Sequence, residues 1–391
     1  MVYIGKVAYE YKGTMPENSS IELNDGTVVI GVAAFSGCSG LTTITIPNSV
    51  ITIGASAFRN CSALASVEIP NSVTTIGYSA FRNCSSLTSI TIPQSVTSMG
   101  DYSFTGCSAL TSVSFHCSNI TSWFSGLSSI EKIEIGKEVK AIGYNAFKEC
   151  NGLRSVTFDQ CEPFIDYYAF SDCPNITDVY YPAYAYSFFS STSTISSNLH
   201  PQIKIDREWT TYCATASFDV PDGIEAYVVK NYNEGVVTLK KVTTINKGQG
   251  LLLKPAEVGT FYDATLCAST PGAYETNLLR GVTSVTDITA TDGDYTNFIF
   301  TKVGDEIGFY PASAGIIPAY KAYLQIPTAS LPVGAPARLS VVFEDGETTS
   351  ITPVRNNQKT SDEWYTLGGQ RSTKPTERGI YIHEGKKVII K

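Results

Sequence analysis

A period of 23 residues governs the first half of this chain. Phe35, Phe58, Phe81 and Phe104 recur at that interval, as do Cys38, Cys61, Cys84 and Cys107, and Leu41, Leu64, Leu87 and Leu110. Between them one pattern returns: LTTITIPNSVITIGASAFRNC, then LASVEIPNSVTTIGYSAFRNC, then LTSITIPQSVTSMGDYSFTGC. Phe124 follows after 20 residues and Phe147 and Phe170 resume the 23, so one coil has lost three residues. Seven repeats run between about Ile21 and Tyr181. A unit this short cannot bury its apolar face alone, and stacking identical neighbours completes the core. The first half is therefore expected to be a solenoid.

The pattern also predicts what each coil does. Leu41, Ile44 and Ile46 point inward while Thr43 and Thr45 alternate outward, as the two-residue period of a strand demands. Pro47 ends the strand because it cannot donate to a ladder. Val50, Ile53, Ala57, Phe58 and Cys61 bring the chain back through short turns or a 3₁₀ arc into the same core. The resulting strands form one parallel sheet.

These residues carry a resemblance. The 23-residue unit with IPNSV, TIG, AF and NCS resembles the BspA-like leucine-rich-repeat family of bacterial surface proteins, over about half of the chain. The resemblance implies adhesion to matrix proteins or to other cells. The lead-in around Gly5 and Gly13 suits a hairpin that caps the first coil. PAYAYSFFSSTSTISSNLHPQIKI resembles a terminal coil with a short aromatic helix.

Composition narrows the function classes. Charged residues make up 16% against 43% apolar, which excludes an intrinsically disordered chain. A formal charge of −8 argues against a broad nucleic-acid-binding face. No apolar run reaches the roughly 18 residues of a membrane-spanning helix. The opening Met1-Val2-Tyr3-Ile4-Gly5-Lys6 lacks a basic and then apolar leader, so no signal peptide is expected within this chain.

From Asp206 the period vanishes. TTYCATASF, EAYVVKNY, EGVVTLKKV, GLLLK, NFIFTKV, IGFYPA and KAYLQI are short β-branched and aromatic runs. Turn signals such as Asp222-Gly223, Asp292-Gly293 and Asp345-Gly346 separate them, which predicts an antiparallel β-sandwich or barrel. The run from Trp209 to Leu324 resembles a β-domain of secreted Bacteroides-type proteins to which no activity attaches. Thr348 to Asp362 reads as a linker. EWYTLGGQRSTKPTERGIYIHEGKKVIIK predicts three short strands and resembles a C-terminal sorting tail of secreted Bacteroidetes proteins. Residues 371–391 carry six basic and two acidic side chains, a solvated edge or part of that sorting signal.

Candidate chemistry is sparse. Six cysteines, Cys38, Cys61, Cys84, Cys107, Cys150 and Cys173, share one slot per coil, and Leu127 fills it in the shortened repeat. A slot that accepts Leu reads as a packed thiol column rather than a disulfide or metal framework, and no CxxC pairs ligands. The Asn-x-Ser/Thr triplets at Asn60, Asn83, Asn119 and Asn175 read as by-products of the repeat. His116, His200 and His383 lie in no HExxH run, and GxSxG and GxxxxGKS/T are missing from the sequence. His116 and Cys117 are adjacent on a strand and face opposite sides, so they make no dyad. No cofactor is implied.

Binding surface is more legible. The outward positions Thr43/Thr45, Ser66/Glu68, Ser89/Thr91 and Ser112/Ser114 make a hydroxyl-rich face. Residues 28–115 hold four charged side chains whereas 131–178 hold fourteen, so surface chemistry changes along the array. There the outward positions are Glu131, Lys132, Glu134, Arg154, Asp178 and Tyr180, which we take as the candidate binding residues; a merely solvated face is the alternative.

The sequence thus predicts a mainly β protein: a leucine-rich-repeat solenoid with a parallel sheet over 1–205, an antiparallel β-sandwich or barrel over 206–347, and a linker with a small β tail over 348–391. The expected function is that of a secreted or cell-surface, adhesin-like binding protein without enzymatic activity. Its partner would be an extracellular host or microbial protein or glycan, not nucleic acid. A glycan- or peptide-directed hydrolase with its site in 206–347 and a structural display stalk are the competing readings.

Overall fold

The computed structural model describes residues 1–185, 198–267, 274, 276–303, 306–332 and 337–344, together with the strand backbones 364–366, 371–372, 379–383 and 386–390. The protein is mainly β, and its first half is a parallel solenoid of about eight turns. Each turn contributes a front strand, but these form two parallel ladders rather than the one sheet expected: Ser19–Glu22, Leu41–Thr45 and Ser66–Val67, then Ser89–Ile92, Ser112–Phe115, Lys132–Ile135, Ser155–Phe158 and Asp178–Pro182. Pairing within each ladder is parallel. The last front strand, Asn198–Lys204, carries no repeat motif and still joins the sheet in parallel register.

The return path holds a second, rear sheet that the repeat pattern did not announce. Two-residue strands Val29–Ile30, Thr52–Ile53, Thr75–Ile76 and Ser98–Met99 pair in parallel. They escape a period-two reading because two residues show no alternation. A 3₁₀ turn appears in only one coil of the repeats, at Ser122–Phe124. Val2–Ile4 and Val7–Glu10 form an antiparallel hairpin that adds to the rear sheet beside Val29–Ile30.

Each recurring residue has a physical task. Phe35, Phe58, Phe81, Phe104 and Phe124 are fully buried. Their rings stack in single file, with centroids 5.3, 5.2, 5.4 and 5.1 Å apart. The file breaks once, where Phe115 wedges edge-on between Phe124 and Phe147 at 5.1 and 5.5 Å, and resumes from Phe147 to Phe170. The glycine of TIG permits close approach: a Cβ on Gly77 would lie 2.4 Å from the Ala55 nitrogen, and on Gly100 2.3 Å from that of Tyr78. Two further slots per turn hold left-handed backbone, one at Ser56 and Ser79 and one at Asn60 and Asn83, which Asn tolerates best. Asn83 Nδ2 also donates to Asn60 Oδ1 at 2.8 Å, so these asparagines serve the stack. Ser72 and Ser95 donate to the carbonyls of Val50 and Val73 in the preceding turn, both at 2.6 Å.

The cysteine column stitches coils together. Cys61, Cys84, Cys107 and Cys150 donate their thiols to the carbonyls of Phe35, Phe58, Phe81 and Phe124 at 3.1 to 3.2 Å. All ten cysteines are free thiols. Burial pushes Cys61 and Cys107 up to about 12 and pushes Cys84 up further still. Packing and a weak hydrogen bond explain the slot, and Leu127 supplies only the packing.

The three missing residues fall in the coil that starts at Ser112. The front sheet runs through it without interruption, whereas the rear sheet stops at Ser98–Met99 and restarts at Asn119–Ile120. Thr121 stands there in the glycine slot.

Beyond the solenoid lie two five-stranded sheets. An inner sheet contains Thr210–Tyr212, Leu251–Pro255, Ile224–Asn233, Val236–Val242 and Ser340–Phe343. Its pairs are antiparallel apart from the parallel contact of Val236–Val242 with Ser340–Phe343. An outer sheet contains Leu279–Val282, Lys321–Pro327, Tyr295–Val303, Thr291–Asp292 and Glu306–Pro311. Tyr227, Val229 and Leu252 pack with Phe298, Phe309 and Leu324 of the outer sheet. The alternate residues Ala226, Val228, Leu251 and Leu253 pack the other way, with Ile203 and Ile205 from the end of the solenoid. Both faces are covered, which is why EAYVV and GLLLK read as continuous apolar runs.

The solenoid's last front strand is covered in turn. Phe261–Asp263 pairs antiparallel with Gln202–Lys204, so the sheet does not end on a free edge. At the C-terminus, four strands rather than three form an antiparallel sheet: Trp364–Thr366, Arg371–Ser372, Gly379–His383 and Lys386–Ile390. The expected linker over 348–362, most of the expected aromatic terminal coil and the basic side chains of the tail lie outside the described residues.

Candidate binding face

Register determines which outward side chains share a lane across the front sheet. One lane runs Ser20, Thr43, Ser66 in the first ladder and Ser89, Ser112, Lys132, Ser155, Asp178 in the second. The next runs Glu22, Thr45 in the first and Thr91, Ser114, Glu134, Thr157, Tyr180, His200 in the second. Hydroxyls dominate the first coils and charges the later ones. Thr43 Oγ1 donates to Ser20 Oγ at 2.8 Å in the hydroxyl part, and Ser114 Oγ donates to Glu134 Oε2 at 2.9 Å at the transition.

Of the six predicted residues, four lie on the front strands and two do not. Lys132, Glu134, Asp178 and Tyr180 occupy the two lanes. Glu131 and Arg154 sit one residue earlier, at the strand entrance, in the slot of Thr111 and Thr177. There the Arg154 amide donates to the Glu131 carbonyl at 2.9 Å and the Thr177 amide to the Arg154 carbonyl at 2.8 Å. Glu131, Lys132, Glu134 and Arg154 are exposed; Asp178 and Tyr180 are half-buried. Among the described residues, Glu131, Lys132 and Arg154 have no ion-pair partner.

At the far end the lanes converge on a cluster. The His200 ring stacks on Tyr180 at 4.7 Å, and its Nε2 meets Asp178 Oδ1 at 2.8 Å. Thr177 Oγ1 donates to Asp178 Oδ2 at 2.8 Å. The Thr177 hydroxyl, and after it His200, hold the Asp178 carboxyl below its ordinary value. Sequence reasoning missed His200 because its strand follows a segment without the repeat motif. One signal was available: NLHPQ repeats the polar-apolar-polar order of DVYYP at a distance of 20 residues, the spacing of the shortened coil.

A second missed feature lies where the turns leave the rear sheet. Tyr78, Tyr102, Tyr144, Phe164, Tyr167 and Tyr168 are all exposed there, each about half or more. Tyr78 meets Tyr102 edge-on at 5.7 Å and Tyr144 meets Tyr168 at 5.5 Å. GYSAF, GDYSF, GYNAF and DYYAF carried that signal in the slot before the core Phe.

His116 and Cys117 lie beyond the strand Ser112–Phe115 rather than on it as expected, and their side chains still diverge. Cys117 is fully buried with its thiol pushed up to about 12, while His116 Nδ1 faces Glu138 Oε2 at 3.3 Å. Among the described residues no three His, Cys, Asp or Glu side chains are grouped as metal ligands. No helix there is long and apolar enough to cross a membrane.

The family model described as the BspA type leucine rich repeat region matches residues 3–123 and 121–228, in six copies and over more than half of the chain. The chain belongs to this family. The match extends past the last front strand into the inner sheet. No curated protein matches the chain. Among solved structures, a leucine rich repeat protein of T. pallidum is 24% identical, covering 38% of this chain and 82% of its own, with a TM-score of 0.29. A leucine-rich repeat protein of Bacteroides ovatus is 25% identical over 42% of this chain and 55% of its own, at a TM-score of 0.27. A leucine rich cell surface protein of Faecalibacterium prausnitzii is 24% identical over 46% of this chain and 63% of its own, at 0.29.

Proposed function

We propose that this BspA-type protein is an adhesin-like binding protein, secreted or held at a bacterial surface, that grips an extracellular protein with the charged half of its front sheet. One observation carries the reading. An unbroken sheet from Ser89 to Lys204 sets Lys132, Glu134, Asp178, Tyr180 and His200 in two straight lanes, with the unpaired charges of Glu131 and Arg154 beside them. Charges without internal partners are available to a complementary surface, and Tyr and Arg are frequent anchors of protein interfaces. Surface location is supported by the family, whose members are cell-surface proteins in bacteria.

Catalysis has no comparable support. Eight of the ten thiols are buried, His116 and His200 face carboxylates at the surface, and the cavity beside the inner sheet holds one carboxylate, Asp206, where glycoside hydrolysis needs two. The exposed aromatic row supports a second reading, in which the rear turns make the contact.

The test is binding of the full chain to an array of matrix proteins, bacterial surface proteins and glycans. Lys132→Glu with Arg154→Glu, and separately Tyr180→Ala, should each weaken capture by at least about tenfold. Tyr144→Ala with Tyr168→Ala should leave it unchanged. Loss with the second pair and not with the first moves the interface to the rear turns. Capture unaffected by both sets leaves only the display-stalk reading.

A further inference from the structure

Where the solenoid meets the inner sheet, the chain leaving the last front strand lines an open cavity of about 450 Å³. That volume lies within the roughly 300–1,000 Å³ of small-molecule sites. Two of its polar groups are left in an unusual state. Trp209 is 5% exposed, wedged against Tyr227 at 5.6 Å and Phe300 at 6.2 Å, and its indole Nε1 is buried without a hydrogen-bond partner. Lys321 opens the outer-sheet strand, and its Nζ donates to Thr210 Oγ1 at 2.9 Å. No carboxylate of the described residues lies within ion-pair distance of it.

The neighbouring charges do not remedy this. Lys204 is engaged by Asp159 at 3.1 Å, and Asp206 accepts from Gln160 Nε2 at 2.9 Å. Arg207 stands exposed at the rim and adds a second unpaired cation. Burial first, and Arg207 second, push the Lys321 ammonium below its ordinary value of 10.5, and the Asp206 carboxylate, beyond ion-pair distance, offsets only part of this. A largely buried ammonium with no carboxylate in contact and an indole N–H without an acceptor both cost stability. Phe300, Ile299, Ile317 and Ala322 form an apolar wall beside them.

We propose that this cavity binds a small organic carboxylate, with its anionic head between Lys321 and Arg207 and its apolar body against Phe300 and Ile317. The head supplies the carboxylate contact that Lys321 lacks, and the wall excludes water from the ion pair, which strengthens it. A bare inorganic anion satisfies only the first half of the site, and a neutral amide only the second.

The test is calorimetric titration of the full chain with phenylacetate, phenylacetamide and inorganic phosphate. Phenylacetate should bind, with phenylacetamide and phosphate each weaker by at least about tenfold. Lys321→Met should remove at least about tenfold of the phenylacetate affinity, and Arg207→Gln a smaller part. Thermal unfolding distinguishes a lost contact from a lost fold: Lys321→Met should melt no lower than the parent, because it replaces an uncompensated charge with an apolar side chain. The proposal is overturned if phenylacetate gives no heat up to about 10 mM. Equal binding of the amide removes the ionic contact, equal binding of phosphate removes the apolar one, and a Lys321→Met protein that melts with the parent and binds as well refutes both.

Discussion

The stacked phenylalanines allow a sharp test of how the coils cooperate. Phe81 is fully buried between two rings, with centroids 5.2 Å from Phe58 and 5.4 Å from Phe104. Phe35 is also fully buried but stacks on Phe58 alone, at 5.3 Å. Each aromatic pair contributes about 0.5–1.5 kcal/mol beyond area burial. Replacing Phe by Leu keeps an apolar side chain, so the packing loss at either site is less than about 1.5 kcal/mol. The stacking loss differs: about 1–3 kcal/mol at Phe81 and half of that at Phe35. Phe81→Leu should therefore destabilise the solenoid by about 1 kcal/mol more than Phe35→Leu, and the Phe58/Phe81 double-mutant cycle should return a coupling of about 0.5–1.5 kcal/mol. Urea denaturation followed by far-ultraviolet circular dichroism measures both. Equal costs at the two positions, or a coupling under about 0.3 kcal/mol, would mean that the rings only fill space and that the single file carries no energy of its own.

Three other outcomes follow from the same structure. Gly77→Ala should cost at least about 2 kcal/mol in denaturant melts, because its Cβ would meet backbone of the neighbouring turn, whereas Gly37→Ala, with nothing within 4 Å, should cost only the strain of a left-handed Ala, about 1 kcal/mol. Thiol labelling of the native protein at pH 8, read by peptide mass spectrometry, should mark Cys267 and Cys173 and spare the eight buried cysteines until the chain is unfolded; early labelling of Cys61 or Cys107 contradicts the column. Because burial lowers the Lys321 pKa in the folded state, the charge penalises folding fully at neutral pH, and the penalty is removed as pH rises from the lowered folded value toward 10.5. Any stability gain of Lys321→Met should accordingly be largest near pH 7 and fade toward pH 10.5, measured by urea melts across that range.

The solenoid was legible because its constraints are repeated. Leu41, Ile44 and Ile46 alternate with Thr43 and Thr45, and an error in reading one coil is corrected by the next. The rear sheet was not, since a two-residue strand such as Thr52–Ile53 leaves no periodicity and its ladder depends on Gly54 and Gly77 letting backbones meet. Glu131 and Arg154 lie just outside the strands on which the sequence pattern set them, because the pattern fixes which way side chains alternate and not where pairing begins. His200 lay hidden for a different reason: its strand is ordered by the pairing of Asp178–Pro182 with it and by Phe261–Asp263 beyond, contacts across long stretches of sequence. The cavity at the junction belongs to that class as well, with Trp209, Phe300 and Lys321 brought together by folding alone.

The shortened coil shows which part of the solenoid can vary. Removing three residues interrupts the rear ladder, shifts the aromatic file by one wedge at Phe115, and leaves the front ladder in register from Ser89 through Ser112 to Lys132. Front pairing is set by four backbone positions per strand, and the return path needs only to reach the next coil, so a loss of length is absorbed behind. The same coil is where the front face changes character, from Ser112 and Ser114 to Lys132 and Glu134. Before it, Thr43 bonds to Ser20 along the lane; the charges after it include Glu131, Lys132 and Arg154, which have no ion-pair partner among the described residues. A surface whose geometry is held constant across a deletion while its chemistry switches is what a recognition face built on a uniform scaffold requires, and the half that follows the deletion is the half with bonds left to make.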